Sequence, residues 1–165
     1  MTDVIRDQDG LIETIISYGH KFLDLLEATP HSLIALAARF GVGAVFLQSG
    51  VNKVANCGFP FLDCQLTSSA LFLFKNEFKL PLLSPELAAT LATVGEHVLP
   101  VMLFLGLGAR LGALGLLVMT FVIQTFVYPD AWPTHLVWAV SLIYVAARGP
   151  GVFSVDHFLG RAFNR

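Results

Sequence analysis

The sequence predicts an all-α membrane protein, a bundle of four transmembrane helices with an amphipathic helix in front of it. Of its 165 residues, 55% are hydrophobic and only 13% are charged. A typical soluble domain has about a quarter of its residues charged. The charged residues also lie mostly outside long apolar runs. This composition excludes an ordinary soluble domain and predicts contact with a lipid bilayer, and the net charge of −2 gives no indication of nucleic-acid binding.

Residues 1–30 are predicted to form a polar N-terminal segment, separate from a membrane domain over residues 31–165. The first ten residues are acidic and are not followed by a short apolar core with a cleavage site. We therefore expect the first long apolar run to act as an uncleaved signal anchor. Within residues 11–28, hydrophobic residues recur at helical spacing, which predicts an amphipathic helix on the membrane surface or against the bundle.

The four predicted spans occupy residues 33–55, 87–108, 111–127 and 133–147, the last being the shortest. A bilayer-spanning helix needs about 20 predominantly apolar residues. The glycine-rich residues 106–110 predict a tight turn between the second and third spans. The long connection at residues 56–85 has room for a short re-entrant or interfacial helix at residues 66–74, which is too short to span.

The distribution of basic residues predicts the orientation of the spans. Four spans place both termini on the same side as the turn at residues 106–110, and cytoplasmic segments carry an excess of Lys and Arg. Seven basic residues fall on that side and three on the other: Arg6, Lys21, Arg39, Arg110, Arg148, Arg161 and Arg165 against Lys53, Lys75 and Lys79. We therefore expect cytoplasmic termini and a periplasmic loop that carries Cys57 and Cys64.

Glu96 is the central candidate for function, because a carboxylate in hydrocarbon costs several kcal/mol unless it is neutralised or paired. We expect Glu96 to reach toward Arg39. Gln48 and Asn52, which share a helix face, are the alternative partners. The predicted polar cluster in the bundle contains Arg39, Gln48, Asn52, Lys53, Glu96, His97, Gln124 and His135. Such a cluster is either a proton relay or quinone-headgroup site, or a buried ion pair that fixes the helix register.

Cys57 and Cys64 are the two cysteines of the chain. On the periplasmic side of a bacterial membrane, they are expected to form a disulfide. Two interpretations stay open: a structural disulfide that holds the loop, or a reactive pair that passes electrons to a quinone. If the protein is an enzyme, Cys57, Cys64 and Glu96 are the candidate catalytic residues.

A copper site is a weaker hypothesis. Thiolate, thioether and imidazole groups suit copper, and the candidate ligands are Cys57, Cys64, His97, Met102 and His135. These residues converge only if the long loop folds over the mouth of the bundle. The spacing of the two cysteines is not a metal-site signature. His97 is alternatively a hydrogen-bonded histidine of the core.

Three groups of residues, in this order, resemble the DoxX family of small four-helix inner-membrane proteins over about residues 33–160. In the first span they are Arg39, Gly43, Phe46, Leu47, Ser49, Gly50 and Lys53. In the second span they are Glu96 and the turn at residues 106–110. After the last span they are residues 148–151, Ser154 and Asp156. Residues 122–138 are more similar to a subgroup found in copper and oxidative-stress operons beside enzymes that modify Cys-containing peptides.

The resemblance implies a membrane component of a redox, thiol-stress or copper-handling system that works with partner proteins of the same operon. A related branch supplies a subunit of thiosulfate:quinone oxidoreductase. Two alternatives remain: a quinone-linked membrane oxidoreductase that uses Cys57 and Cys64, and a structural scaffold or small-molecule channel. Quinone and copper are the candidate cofactors, and a homo-oligomer is a further hypothesis. Ser154 and Asp156 are expected to cap a short C-terminal helix.

Overall fold

The structure, a computed structural model, describes residues 16–55, 64–78 and 80–163. In these ranges the chain is helical almost throughout. In order, the elements are α1 (residues 16–27), α2 (His31–Val51), β1 (Val54–Ala55), β2 (Gln65–Leu66), α3 (Ser68–Asn76), α4 (Pro85–Leu105), α5 (Ala109–Phe126), a single 3₁₀ turn (Pro129–Ala131), α6 (Trp132–Arg148) and α7 (Val155–Phe163).

Four of these helices form an antiparallel bundle. α2 packs on α4 and α6, and α5 packs on the same two helices from the other side. The core between them is apolar and includes the fully buried Leu103, Leu116 and Leu142. Large apolar side chains also cover the outside of the bundle, for example Val118 and Phe121, which are 64% and 67% exposed. A surface of this kind is suited to lipid rather than water.

Three helices of the described chain, α2, α4 and α5, are long and apolar enough to cross a membrane. The predicted all-α membrane architecture is therefore supported by the structure, although not the number of four spans. α6 has 17 residues and falls just short of the other three in length. The first predicted span ends four residues early, at Val51, because the chain turns at Asn52 and enters β1.

We call the end of the bundle with the α4–α5 turn, Arg110 and Arg148 the arginine end, and the opposite end, with α3 and Lys75, the lysine end. α2 reaches only to the middle of α4: a Cβ added at Gly50, near the end of α2, would contact Glu96 and His97, which lie midway along α4. Beyond that level, α3 covers the first half of α4 through Phe74, Ala88 and Ala89.

The connection between α2 and α4 contains the predicted short helix. The prediction placed it at residues 66–74, and the structure places α3 at Ser68–Asn76. The helix starts there because the Thr67 hydroxyl accepts a hydrogen bond from the Ala70 N–H. Upstream, β1 and β2 pair antiparallel with Val54 opposite Leu66, which returns the chain to the end of α2.

The predicted amphipathic helix corresponds to α1, of which residues 16–27 are described. All the residues of this part are exposed, including the apolar Phe22 and Leu25. The described part therefore does not pack against the bundle, which was one of its two expected positions. Its position on the membrane surface stays a prediction, and residues 11–15 of the predicted helix lie outside the described ranges.

Candidate functional site

The centre of the candidate site is a buried ion pair between Lys53 and Glu96. The Lys53 Nζ atom lies 2.7 Å from Glu96 Oε2 and 2.9 Å from Oε1. The two side chains are only 15% and 4% exposed. Because Glu96 lies midway along α4, the pair lies deep in the bundle rather than at its end. Charges removed from water in this way are stable only when they are paired and hydrogen-bonded.

Ser49 completes the hydrogen bonding of this pair. Its hydroxyl donates to Glu96 Oε1 at 3.0 Å and accepts from Lys53 Nζ at 2.8 Å. Lys53 also donates to the Ser49 carbonyl at 3.3 Å. Ser49 was not among the predicted site residues, although a signal was present: Ser49 and Lys53 are four residues apart, which places them on one face of a helical turn.

A glycine allows α2 and α4 to approach closely enough for this contact. A Cβ at Gly50 would lie 2.9 Å from Glu96 Cβ and equally close to the His97 ring. Real Cβ atoms do not approach other atoms so closely. Small residues at helix–helix contacts serve the same purpose in membrane bundles generally. Two features therefore bring the ion pair together: the close approach of α2 to α4 at Gly50 and the length of the Lys53 side chain.

The partners expected for Glu96 were wrong. Gln48 and Asn52 are exposed, and Arg39 is hydrogen-bonded to other groups. The partner is Lys53, which lies two residues beyond the end of α2 at Val51. Its four-carbon side chain reaches back into the bundle. The depth of each residue along its own span was predictable, but the offset between α2 and α4 was not.

The histidines of the predicted cluster have separate partners. His97 Nδ1 lies 2.7 Å from the Thr93 carbonyl of its own helix. Since a carbonyl oxygen only accepts, Nδ1 carries the proton. His135 Nδ1 lies 2.6 Å from Gln124 Oε1, and Gln124 Nε2 donates to the Pro129 carbonyl at 2.7 Å. Of the predicted cluster, the structure thus brings together Lys53 with Glu96, and Gln124 with His135.

Arg39 forms a second buried polar centre, near the arginine end. It is 0% exposed. Its Nη1 donates to the Leu103 carbonyl at 3.1 Å and its Nη2 to the Phe153 carbonyl at 2.6 Å, while its buried Nε has no partner among the described residues. The guanidinium therefore joins α2 to the end of α4 and to the segment between α6 and α7.

The turn between α4 and α5 fits against this guanidinium. Gly106 has a φ of 65°, and a Cβ there would clash with Arg39 Nη1 and with Ser154. The conformation and the close contact both require glycine. Arg39, Gly106 and Ser154, one residue from each of the three groups that resemble a family motif, thus meet in one structural centre.

Asp156 caps a different helix from the expected one. Its carboxylate accepts from the Gly108 N–H at 2.8 Å and the Ala109 N–H at 3.0 Å, which are the first amides of α5. Its own N–H donates to the Gly106 carbonyl at 2.9 Å. Ser154 does cap α7, since its hydroxyl accepts from the His157 N–H at 3.2 Å. Asp156 therefore fixes the α4–α5 turn, and its predicted role at the C-terminal helix was wrong.

The cysteine loop is connected to the ion pair. Cys64 is disulfide-bonded and precedes β2 directly. The Thr67 N–H, just after β2, donates to the Lys53 carbonyl at 2.9 Å. Cys57 lies outside the described residues, so its pairing with Cys64 stays a prediction.

The described part of the structure does not bring the predicted copper ligands together, and Cys57 lies outside it. In the described ranges, no three His, Cys, Asp or Glu residues lie close enough together to hold a metal ion. Met102 packs against Gly112, in the first turn of α5, whereas His135 contacts Gln124 near the end of that helix. Twelve residues of helix separate these two contacts, a distance of about 18 Å. Met102 and His135 therefore cannot share one ligand set.

Comparison with known protein families identifies the chain. A family model for DoxX matches residues 34–129, more than half of the sequence. The chain belongs to the DoxX family. The match contains the Lys53–Glu96 pair and the α4–α5 turn, and it ends before α6, short of the predicted extent to about residue 160. No curated protein and no solved structure matches the chain. Family membership and the apolar helices together make this DoxX protein a multi-pass membrane protein.

Proposed function

We propose that this DoxX protein is an inner-membrane component of a redox or thiol-stress system and that it works with partner proteins. The observation that supports this proposal is the connection between a disulfide-bonded cysteine and a buried ion pair. Cys64 adjoins β2, and the Lys53 carbonyl accepts a hydrogen bond from Thr67 at the other end of that strand. A change at the disulfide would therefore act on the segment that holds Lys53 against Glu96.

The proposed redox step is an exchange at the loop. A partner dithiol transfers two electrons and two protons to the Cys57–Cys64 disulfide, so the partner becomes oxidised and the loop becomes a dithiol. In the quinone-linked alternative, a quinone then takes two electrons and two protons from the loop. The disulfide re-forms and a quinol leaves. In this scheme Glu96, deep in the bundle, is the group suited to relay protons.

The proposal includes four spans and a defined orientation. α6, with 17 residues, is about 26 Å long, close to the roughly 30 Å of a hydrocarbon core. The proposed membrane domain covers residues 31–165. Four spans place residues 1–30 and α7 on the same side of the membrane. Because Arg110, Arg148 and Arg161 lie at the arginine end, this end is proposed to be cytoplasmic and the cysteine loop periplasmic.

The test of the redox function follows the thiols. The protein, purified in mild detergent, is reduced, freed of reductant and mixed anaerobically with a short-chain quinone. The fraction of free thiol is then measured by a maleimide gel shift, and the quinol by its absorbance. We expect one quinol for each disulfide formed if the cysteines are reactive. The Cys57→Ser/Cys64→Ser variant is the matched control and should give no quinol.

The same preparations separate the other hypotheses. If quinone leaves the thiols reduced but a co-purifying partner exchanges electrons with them, the protein is an accessory component that does not itself react with quinone. If the double serine variant keeps its partners and its stability, the disulfide is not needed to hold the loop, which favours the accessory role. Stoichiometric copper in the wild-type protein that is absent from the serine variant would instead establish metal handling.

A structural scaffold is the second candidate, and a specific observation favours it. Arg39 and Asp156 connect α2, the α4–α5 turn and the segment after α6 through hydrogen bonds to the backbone. Such contacts fix the arrangement of the helices and require no redox reaction. The scaffold hypothesis predicts that substitutions at Arg39 lower stability and partner binding together, with no change in the thiol state.

A further inference from the structure

A cavity of about 350 Å³ lies at the arginine end, apart from the ion pair and the cysteine loop. Its walls are the start of α2, the start of α5 and the chain that leads from α6 to α7. Arg110, Arg148 and Asp156 line it, together with His31 and His157. Its volume is in the range of small-molecule sites, about 300–1,000 Å³.

The cavity carries two cations that form no ion pair with a described residue. In the described part of the chain, the ion pairs are Lys53–Glu96 and Lys75–Glu86, so neither Arg110 nor Arg148 is paired with a carboxylate. The carboxylate that lines the cavity, Asp156, already accepts from two backbone amides of α5. The cavity therefore has an excess of positive charge.

The Arg110 guanidinium is held in a fixed position at this cavity. Its Nη1 donates to the carbonyls of Ala146 and Ala147, at the end of α6, at 3.0 and 3.2 Å. A Cβ on Gly149 would contact Arg110 Nη2 at 3.2 Å, so the absence of a side chain there leaves room for the guanidinium. A planar guanidinium in a fixed position binds the oxygens of a phosphate group well.

The chain beside the cavity combines exposed apolar side chains with a basic residue. The neighbouring chain exposes large apolar side chains: Phe153 is 60% exposed, and on α7 Phe158 and Phe163 are 66% and 85% exposed. The same helix carries Arg161. A short helix with exposed aromatic residues and a basic residue, placed after a span, is typical of the membrane interface.

We propose that this cavity binds the phosphate headgroup of an anionic phospholipid in the leaflet at the arginine end. The two guanidinium groups, which form no ion pair with a described residue, supply the charge, and the exposed phenylalanines of the neighbouring chain would contact the acyl chains. Basic cavities between transmembrane helices on the cytoplasmic side bind anionic headgroups in other membrane proteins. The site is independent of the thiol chemistry proposed above.

The experiment measures lipid binding to the full chain in detergent. Native mass spectrometry counts bound phosphatidylglycerol and phosphatidylcholine with identical acyl chains over a concentration series. We expect one phosphatidylglycerol to bind roughly 30-fold more tightly than phosphatidylcholine, and Arg148→Gln to reduce this preference about fivefold. Arg161→Gln removes the same charge from the same end of the protein but not from the cavity, and should leave the preference unchanged.

Three results would overturn the proposal. The first is equal binding of both lipids. The second is an equal loss in Arg148→Gln and Arg161→Gln, which would indicate attraction to the whole end of the protein. The third is displacement of phosphatidylglycerol by millimolar inorganic phosphate, which would identify a site for a soluble anion. Because Arg148 forms no hydrogen bond with a described residue, its variant should melt at the wild-type temperature without added lipid, so a loss of binding would not result from unfolding.

Discussion

Replacing Glu96 by Gln tests whether the ion pair in the middle of the bundle is a desolvated structural contact. Gln keeps the shape of the side chain but removes its charge. The Lys53 ammonium, 15% exposed, would then lack the carboxylate that it contacts through both oxygens. Removing one partner of a buried pair costs about 3–5 kcal/mol, because the other charge remains in a low-dielectric site. For a protein of this size, we expect a melting temperature lower by about 10 °C.

A double-mutant cycle completes this test. Lys53→Met leaves a buried carboxylate and should destabilise similarly, whereas the double variant Lys53→Met/Glu96→Gln removes both charges and should lose much less stability than the two single variants together. Reversible unfolding by SDS in mixed micelles gives the free energies, and the maleimide assay gives the thiol state of the loop. Single variants within about 0.5 kcal/mol of wild type, or strictly additive effects, would refute the reasoning.

Three further substitutions test contacts elsewhere, each by its melting temperature in detergent. Asp156→Ala removes the acceptor of two amides at the start of α5 and should lower the free energy of unfolding by about 1–2 kcal/mol. Asp156→Asn should have a smaller effect. An Asp156→Ala variant with the wild-type melting temperature would show that the α5 cap is not formed. Gly50→Ala should cost about 1–3 kcal/mol, because the new carbon would lie 2.9 Å from atoms of α4. The control is Gly41→Ala, because a Cβ at Gly41 would meet no atom of a neighbouring element within 4 Å. Equal losses of stability in the two variants would contradict the close contact between α2 and α4. His135→Phe leaves Gln124 Oε1 without its donor and should cost about 1–3 kcal/mol; no loss would contradict that hydrogen bond.

The helices of the bundle were predictable because each one is a long apolar run. The prediction of the first span failed only at its end. Residues 52–55 contain neither proline nor glycine, so nothing in them ends a helix, but the chain turns there and pairs with β2 instead. That pairing joins segments ten or more residues apart in the sequence, so no local pattern indicated it. The number of spans is harder to predict, because α6, with 17 residues, is shorter than the roughly 20 residues that a bilayer-spanning helix needs.

The candidate site was predictable in part. The cost of a carboxylate in hydrocarbon identifies Glu96 from the sequence alone. The identity of its partner depends on how far α2 is displaced along α4, a quantity set by the contact at Gly50. A sequence gives the depth of a residue in its own helix and not its level relative to a neighbour.

The roles of Asp156 and Met102 illustrate the same limit at longer range. A serine or aspartate at the start of a helix is ordinarily assigned to that helix, and this assignment holds for Ser154. Asp156 instead binds amides 47 and 48 positions earlier in the sequence. Met102 was grouped with histidines because of its chemistry, yet it packs at the arginine end of α4. Chemical type alone cannot assign either residue to a site.

Arg39 has a consequence for the order in which the protein is assembled during synthesis. Its two hydrogen-bond acceptors lie 64 and 114 positions downstream, at Leu103 and Phe153. When α2 emerges from the ribosome and enters the membrane, neither acceptor has been translated. Until then, water or lipid headgroups must solvate the guanidinium. Arg39 therefore cannot complete its hydrogen bonds before Phe153 has been synthesised.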